Sequence, residues 1–171
     1  MSKPSSGLYA GTKGDLQDSN DIISYIDWEA LKNHMERPDP STSMKKGIKG
    51  AHNKNYFMKE IKRTGAQIVN SIQHPKMKGI ETITYQMPKL NLTGEPNGTF
   101  RSKIFAKTVY DPAVLSTKAY IRRGLEAANQ AIQNAPSHRL SREWTGIDHH
   151  GIQWRGYVDS HGHITSFYPE E

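Results

Sequence analysis

The spacing of the apolar residues changes at Gly65, and that change limits the fold more than any other feature of the chain. Before it, Ile22, Ile23, Ile26, Ala30 and Leu31 recur near helical spacing. Ser19, Asn20 and Asp21 can cap that helix, which the spacing carries from Asp21 to about Met35. Pro38 and Pro40 end it, and 41–50 reads as a loop carrying Lys45, Lys46 and Lys49. A second helix is predicted from about Asn53 to Thr64, with Phe57 and Ile61 on one side and Gly65 as its stop. Beyond Gly65 the pattern turns to strands over 67–72, 81–87 and a longer run 99–109, with 91–98 as a turn-rich link. Ser116 caps a helix to about Asn134 whose Ile121, Leu125, Ala128 and Ile132 form one apolar stripe. Residues 135–149 read as a loop, and a closing hairpin pairs 152–158 with 164–168. Helices first and antiparallel strands after make an α+β chain. Residues 1–20 show no periodicity and read as a flexible lead-in. A single domain over 21–171 follows, with a helical lobe at about 21–65 and a β-rich lobe at about 66–171.

Such a chain of 171 residues can bury a core, but with 35% hydrophobic residues and a mean hydropathy of −0.76 that core is economical. No window approaches the roughly 18 apolar residues of a membrane helix. The opening Met1–Gly7 has no apolar stretch, which predicts no signal peptide of its own. The absence of cysteine excludes disulfides, thiolate metal sites and a cysteine nucleophile. The formal charge of +6 is uneven: −3 over 1–40, +6 over 41–65, +4 over 66–110, +2 over 111–147 and −3 over 148–171. A basic block therefore surrounds His52 and extends to Lys107, and it would draw a phosphodiester.

Within and beside that block stand His34, then Lys49-Gly50-Ala51-His52-Asn53, then Ala106-Lys107-Thr108-Val109-Tyr110-Asp111-Pro112. The chain closes with Gly151-Ile152-Gln153-Trp154-Arg155 and then Ser166-Phe167-Tyr168-Pro169. Two imidazoles and an ammonium suit cleavage of RNA through its own 2′-hydroxyl. One imidazole takes the 2′-OH proton, the other protonates the leaving 5′-oxygen, and the lysine steadies the phosphorane charge. His52 precedes a helix start, where the backbone dipole favours an anion and holds an imidazole neutral.

In this order the motifs resemble the EndoU endoribonucleases, most closely the bacterial branch that forms C-terminal toxin domains of contact-dependent inhibition proteins. The resemblance covers about His34 to the end. The continuation after His34, Met35-Glu36-Arg37-Pro38, departs from the aliphatic-Gly frequent in that family. It implies two small antiparallel sheets around a catalytic groove. His34, His52 and Lys107 would be catalytic, with Ser166, Tyr168, Thr108 and Lys49 binding substrate. It implies no metal and no cofactor, tRNA as substrate, and a cognate immunity protein, expected to be acidic, as partner. The setting it implies is a larger secreted or cell-surface toxin acting in the target-cell cytoplasm. The uridine preference of animal and viral relatives is not carried over.

Other residues compete for these roles. His74 lies in Gln73-His74-Pro75-Lys76, which reads as a surface turn, and His161 and His163 flank a hairpin turn. His149-His150, with Asn53, could imitate an HNH-type metal-dependent nuclease, which chelation would silence. A non-catalytic RNA-binding module would use the basic block for phosphate and Tyr168 for stacking, without strand breaks. Asp111 and Glu143 could suggest a carboxylate pair, but no spacing supports one. Trp154 and Tyr157 read as core.

Overall fold

The computed structural model describes residues 24–171. The predicted lead-in over 1–20, and the Ser19–Asp21 cap with the first turn of the predicted helix, lie outside the described residues. Among those described, that helix (α1) spans Trp28–Glu36. Ile26 is not part of it: it makes a parallel bridge with Ile164, and the Asp27 carboxylate accepts the N–H of Ala30 at 3.2 Å, so Asp27 caps the start.

The chain packs as two compact units. The first is continuous, 34–116; the second joins 117–171 to the segment before His34, and α1 runs from one into the other. In the continuous unit α2 is Lys54–Thr64, with Asn53 as N-cap accepting from the N–H groups of Asn55 and Tyr56, and Gly65 as C-cap at φ 79°. Such a cap contributes about 1 kcal/mol. Strands β1 (Gln67–Gln73), β2 (Ile80–Gln86) and β5 (Phe105–Tyr110) form an antiparallel sheet in the order β1-β2-β5. A separate two-stranded ribbon pairs β3 (Pro88–Leu90) with β4 (Pro96–Phe100). The core lies between α2 and one face of the larger sheet: Phe57 and Ile61 meet Ile83, Tyr85 and Val109. Cross-strand pairs Val109–Glu81, Lys107–Ile83 and Phe105–Tyr85 share that face, because side chains alternate along a strand. Lys107 thus occupies a core-side position.

In the second unit α3 (Thr117–Asn134) packs on the antiparallel sheet β6 (Glu143–Ile147), β7 (Gln153–Val158) and β8 (Ile164–Pro169). Tyr120, Trp154 and Phe167 meet there with ring centroids 5.2–6.3 Å apart. Trp154 is fully buried, as the sequence predicts; Tyr157 is half-buried.

The α+β architecture is as expected, and three local expectations change. The single run 99–109 is two strands in two sheets, because Arg101 leaves the line and donates its N–H to Met87 O at 2.9 Å. The loop predicted over 135–149 contains β6, with Trp144 and Gly146 facing inward. The inward alternation is hidden in the sequence because one buried position must be glycine: a Cβ at Gly146 would lie 1.9 Å from Ala127 O. His74, read as a surface turn, is 8% exposed, and its Nδ1 accepts the N–H of Lys76 at 3.0 Å.

Candidate active site

α1 ends at Glu36, and its last carbonyls have no partner within the helix. Residues 51–53 supply one. Ala51 N donates to both His34 O and Arg37 O at 3.0 and 2.9 Å, while His52 N and Asn53 N donate to Met35 O at 2.7 and 2.9 Å. On the other side Tyr110 N donates to His52 O at 2.8 Å, and Asn53 bridges Tyr110 in parallel. His52 is therefore strung between the end of α1 and the end of β5, one residue before the cap of α2.

The turn into this position is strained. Gly50 has φ 68°, and a Cβ there would lie 2.5 Å from Arg37 O and 2.9 Å from His34 O. Ala51 follows at φ 55°, a left-handed value costly for a residue with a Cβ. Gly50→Ala is expected to destabilise the protein by on the order of 1–3 kcal/mol and to displace His52. Thermal unfolding reads the first effect, and the position of the His52 ring resonances the second.

The docking brings the two imidazoles together: His34 and His52 have ring centroids 5.6 Å apart, tilted by 46°. His52 is 6% exposed, and its Nδ1 lies 2.9 Å from Thr108 O. A carbonyl only accepts, so Nδ1 carries the proton and the lone pair sits on Nε2. Burial, then the Lys107 ammonium, then His34, hold the His52 pKa well below the ordinary value, against the Thr108 carbonyl, which raises it. Burial and Lys107 lower that of His34 to about 4, opposed by Asp39 and assisted by Lys49. Lys107 itself is lowered to about 8, by burial first and by Lys49 second. At neutral pH the site holds two neutral imidazoles and a partly desolvated cation. Lys49 is exposed beside them, and Thr108 acts on the site through its carbonyl.

Ser166 and Tyr168 lie in the other unit. Both are on β8, two residues apart and hence on one face, half-buried, opposite Tyr157 and Arg155 of β7. Burial and a hydrogen bond with Tyr157 push the Tyr168 phenol up to about 12, so it remains a donor.

The competing residues have other occupations. Asn53 caps α2, and His149 N donates to the buried Glu126 carboxylate at 3.0 Å, its ring Nδ1 3.4 Å from the second oxygen. His161 and His163 stack at 6.4 Å around a turn held by the Asp159 carboxylate. Asp111 accepts from Ala113 N, and Glu143 pairs with Arg155, in different units. Among the described residues no three His, Cys, Asp or Glu side chains come together as metal ligands. No helix among them is long and apolar enough to cross a membrane.

No family model matches the chain. Over 132 residues, 75% of its length, it is 30% identical to tRNA nuclease CdiA of Escherichia coli. Over 137 residues, 80% of its length, it is 28% identical to tRNA nuclease CdiA of Yersinia mollaretii. The chain spans only 4% of the length of either relative.

Proposed function

The chain is kin to a segment of the CdiA proteins named tRNA nucleases, and from that premise we propose that it is an endoribonuclease toxin domain that cuts tRNA without metal. The observation that carries the chemistry is the pair of imidazoles 5.6 Å apart, neutral in the free protein, beside the half-buried Lys107. One imidazole removes the 2′-OH proton, and the 2′-oxygen attacks the adjacent phosphorus. The other, protonated once the substrate phosphate is bound, gives that proton to the departing 5′-oxygen, leaving a 2′,3′-cyclic phosphate and a 5′-hydroxyl. His34 and His52 share these roles, Lys107 stabilises the non-bridging oxygens of the pentavalent state, and Thr108 orients His52. Lys49 meets the substrate phosphate, while Ser166 and Tyr168 hold a base by hydrogen bonding and stacking. The resemblance to EndoU enzymes supports the same division of labour. The domain acts as part of a larger cell-surface toxin in the target-cell cytoplasm, and a cognate immunity protein of acidic surface neutralises it.

The test is incubation of total tRNA with the protein in EDTA, beside His52→Ala, with analysis of the fragment ends. Fragments carrying a cyclic phosphate, absent with the variant, are expected. Intact RNA in EDTA that is cut once a divalent ion returns would move the chemistry to a metal site. Bound but uncut RNA under both conditions would leave only a binding module.

An imidazole held near 4 cannot serve as acid until something raises its pKa, and the substrate phosphate does so by its charge. Binding then takes up a proton. Affinity for an RNA with 2′-deoxy at the cleavage position is therefore expected to rise as pH falls from about 8 to about 5. A flat profile would place the phosphate away from both rings.

A further inference from the structure

Beyond the catalytic cluster, the same unit carries a second cationic feature. A cavity of about 480 Å³ is lined by Lys89, Leu90, Asn97, Arg101, Ser102 and Lys103. Lys89 belongs to β3 and Asn97 to β4, and the other three polar residues lie in the irregular link that carries the chain from the ribbon to β5. The break that the sequence did not show is what gathers them. Arg101 is turned by its backbone bond to Met87 and by Gln86, whose side chain donates to Arg101 O at 3.1 Å. Lys103 is anchored 4.7 Å from the Phe105 ring centre, and Phe105 stacks on Tyr85 at 5.5 Å.

The polar lining offers donors almost exclusively. Among the described residues, Lys89, Arg101 and Lys103 have no carboxylate partner within ion-pair distance. The Asn97 side-chain oxygen is occupied by Thr99, through its N–H at 2.9 Å and its hydroxyl at 2.6 Å. Three cations around one concavity without a counter-charge are satisfied best by an anion. Phe105 and Lys107 face the same side of β5, and four residues of extended chain from Lys103 to Lys107 span about 13 Å at most. A few nucleotides of single strand cover that distance.

We infer that the ribbon cavity is a phosphate-binding exosite, in which Lys89, Arg101 and Lys103 grip the RNA backbone a few nucleotides from the bond that is cut. The assignment rests on the nuclease reading above and extends it: the cavity selects polynucleotide over short substrates. Its cations contact phosphates, not bases, so they add affinity without sequence preference.

The test is the variant Lys89→Ala/Arg101→Ala/Lys103→Ala, made in the otherwise unaltered chain and also in the His52→Ala chain. Each lost phosphate contact lowers the salt slope of binding by about 0.7–0.9. Removing all three should therefore flatten the slope by about 2–3 and weaken tRNA binding by about 100-fold at 0.15 M salt. In the cleaving chain the loss is expected in KM, with kcat at saturating tRNA retained. Unchanged affinity and slope would overturn the exosite, whether or not the protein cleaves. A fall in kcat with KM unchanged would overturn it too, because the cations would then act at the reacting bond or on the fold. Binding by the His52→Ala chain is read without cleavage, so failure of the nuclease reading leaves this test standing. Loss of tRNA binding together with a lowered thermal midpoint is resolved by Lys89→Gln/Arg101→Gln/Lys103→Gln. That variant keeps length and stem packing, and it must reproduce the loss for the exosite to stand.

Discussion

On the proposed mechanism, His52→Ala is expected to lower the rate of RNA cleavage by about 10²–10⁴-fold, the range for loss of one positioned acid or base. The ring lies at 6% exposure with its Nδ1 on Thr108 O, so the substitution also leaves a small cavity and an unpaired carbonyl. The expected destabilisation is about 1–3 kcal/mol, which thermal unfolding measures. His34→Ala, at a half-buried position, is expected to lose activity on the same scale with a smaller change in stability. Under the paired-imidazole proposal the two rings act on one substrate, so the double variant should lose little more than either single one. The kinetics to run are single-turnover cleavage of one tRNA by all four proteins at one pH. Multiplicative losses, or a fully active folded His52→Ala, would remove the paired-imidazole mechanism.

Lys107→Met combines two opposite effects. It removes the cation proposed to meet the phosphorane, with an expected cost of about 10²–10³-fold in kcat. It also relieves the fold. The Lys107 pKa is about 8 in the folded protein against 10.5 for an ordinary lysine, so the folded state holds its proton less tightly than the unfolded chain does. The destabilisation is fully present below about pH 8, and it fades as pH rises from there to 10.5. An apolar side chain beside Val109 and Ile83 avoids it. Denaturant unfolding is expected to show Lys107→Met more stable than the parent by about 1–3 kcal/mol at pH 6, with the gap closing toward pH 10.5. A variant less stable at pH 6 would mean that the ammonium supports the fold. The same sign holds for the imidazoles. His34, lowered to about 4 by burial, costs stability as pH falls below the ordinary histidine value of 6.5.

Local signals made much of this legible. Asn53 and Gly65 mark the two ends of α2, and both act as the caps their chemistry suits. Ser166 and Tyr168 fall on one strand of the closing hairpin. What the sequence hides depends on distant partners. Gly146 looks like a loop residue until Ala127 O is seen to fill the place of its Cβ. His74 looks exposed until its ring nitrogen takes the Lys76 amide. The spacing of His34 and His52 does not say that 51–53 satisfy the end of α1, which is what sets the rings side by side. Nor does a lysine between Ala106 and Thr108 declare that it faces a core.

The division of the chain into a continuous unit and a host split around it bears on the order of folding. Strands β1, β2 and β5 and helix α2 all lie within 34–116, so a chain made from its N-terminus holds every partner of that sheet once Tyr110 has emerged. The host closes only later, when β8 arrives and Ile164 N reaches Tyr25 O across the whole intervening segment. Closing so long a loop costs little more than closing one half its length, about 0.6 kcal/mol per doubling, but it cannot begin until the last strand exists. The two histidines and Lys107 thus belong to the part of the molecule that can assemble first, and Ser166 and Tyr168 to the part that must wait. A ribosome-stalled or truncated chain ending before β8 would carry His34, His52 and Lys107 without Ser166 and Tyr168, the residues proposed to hold the base.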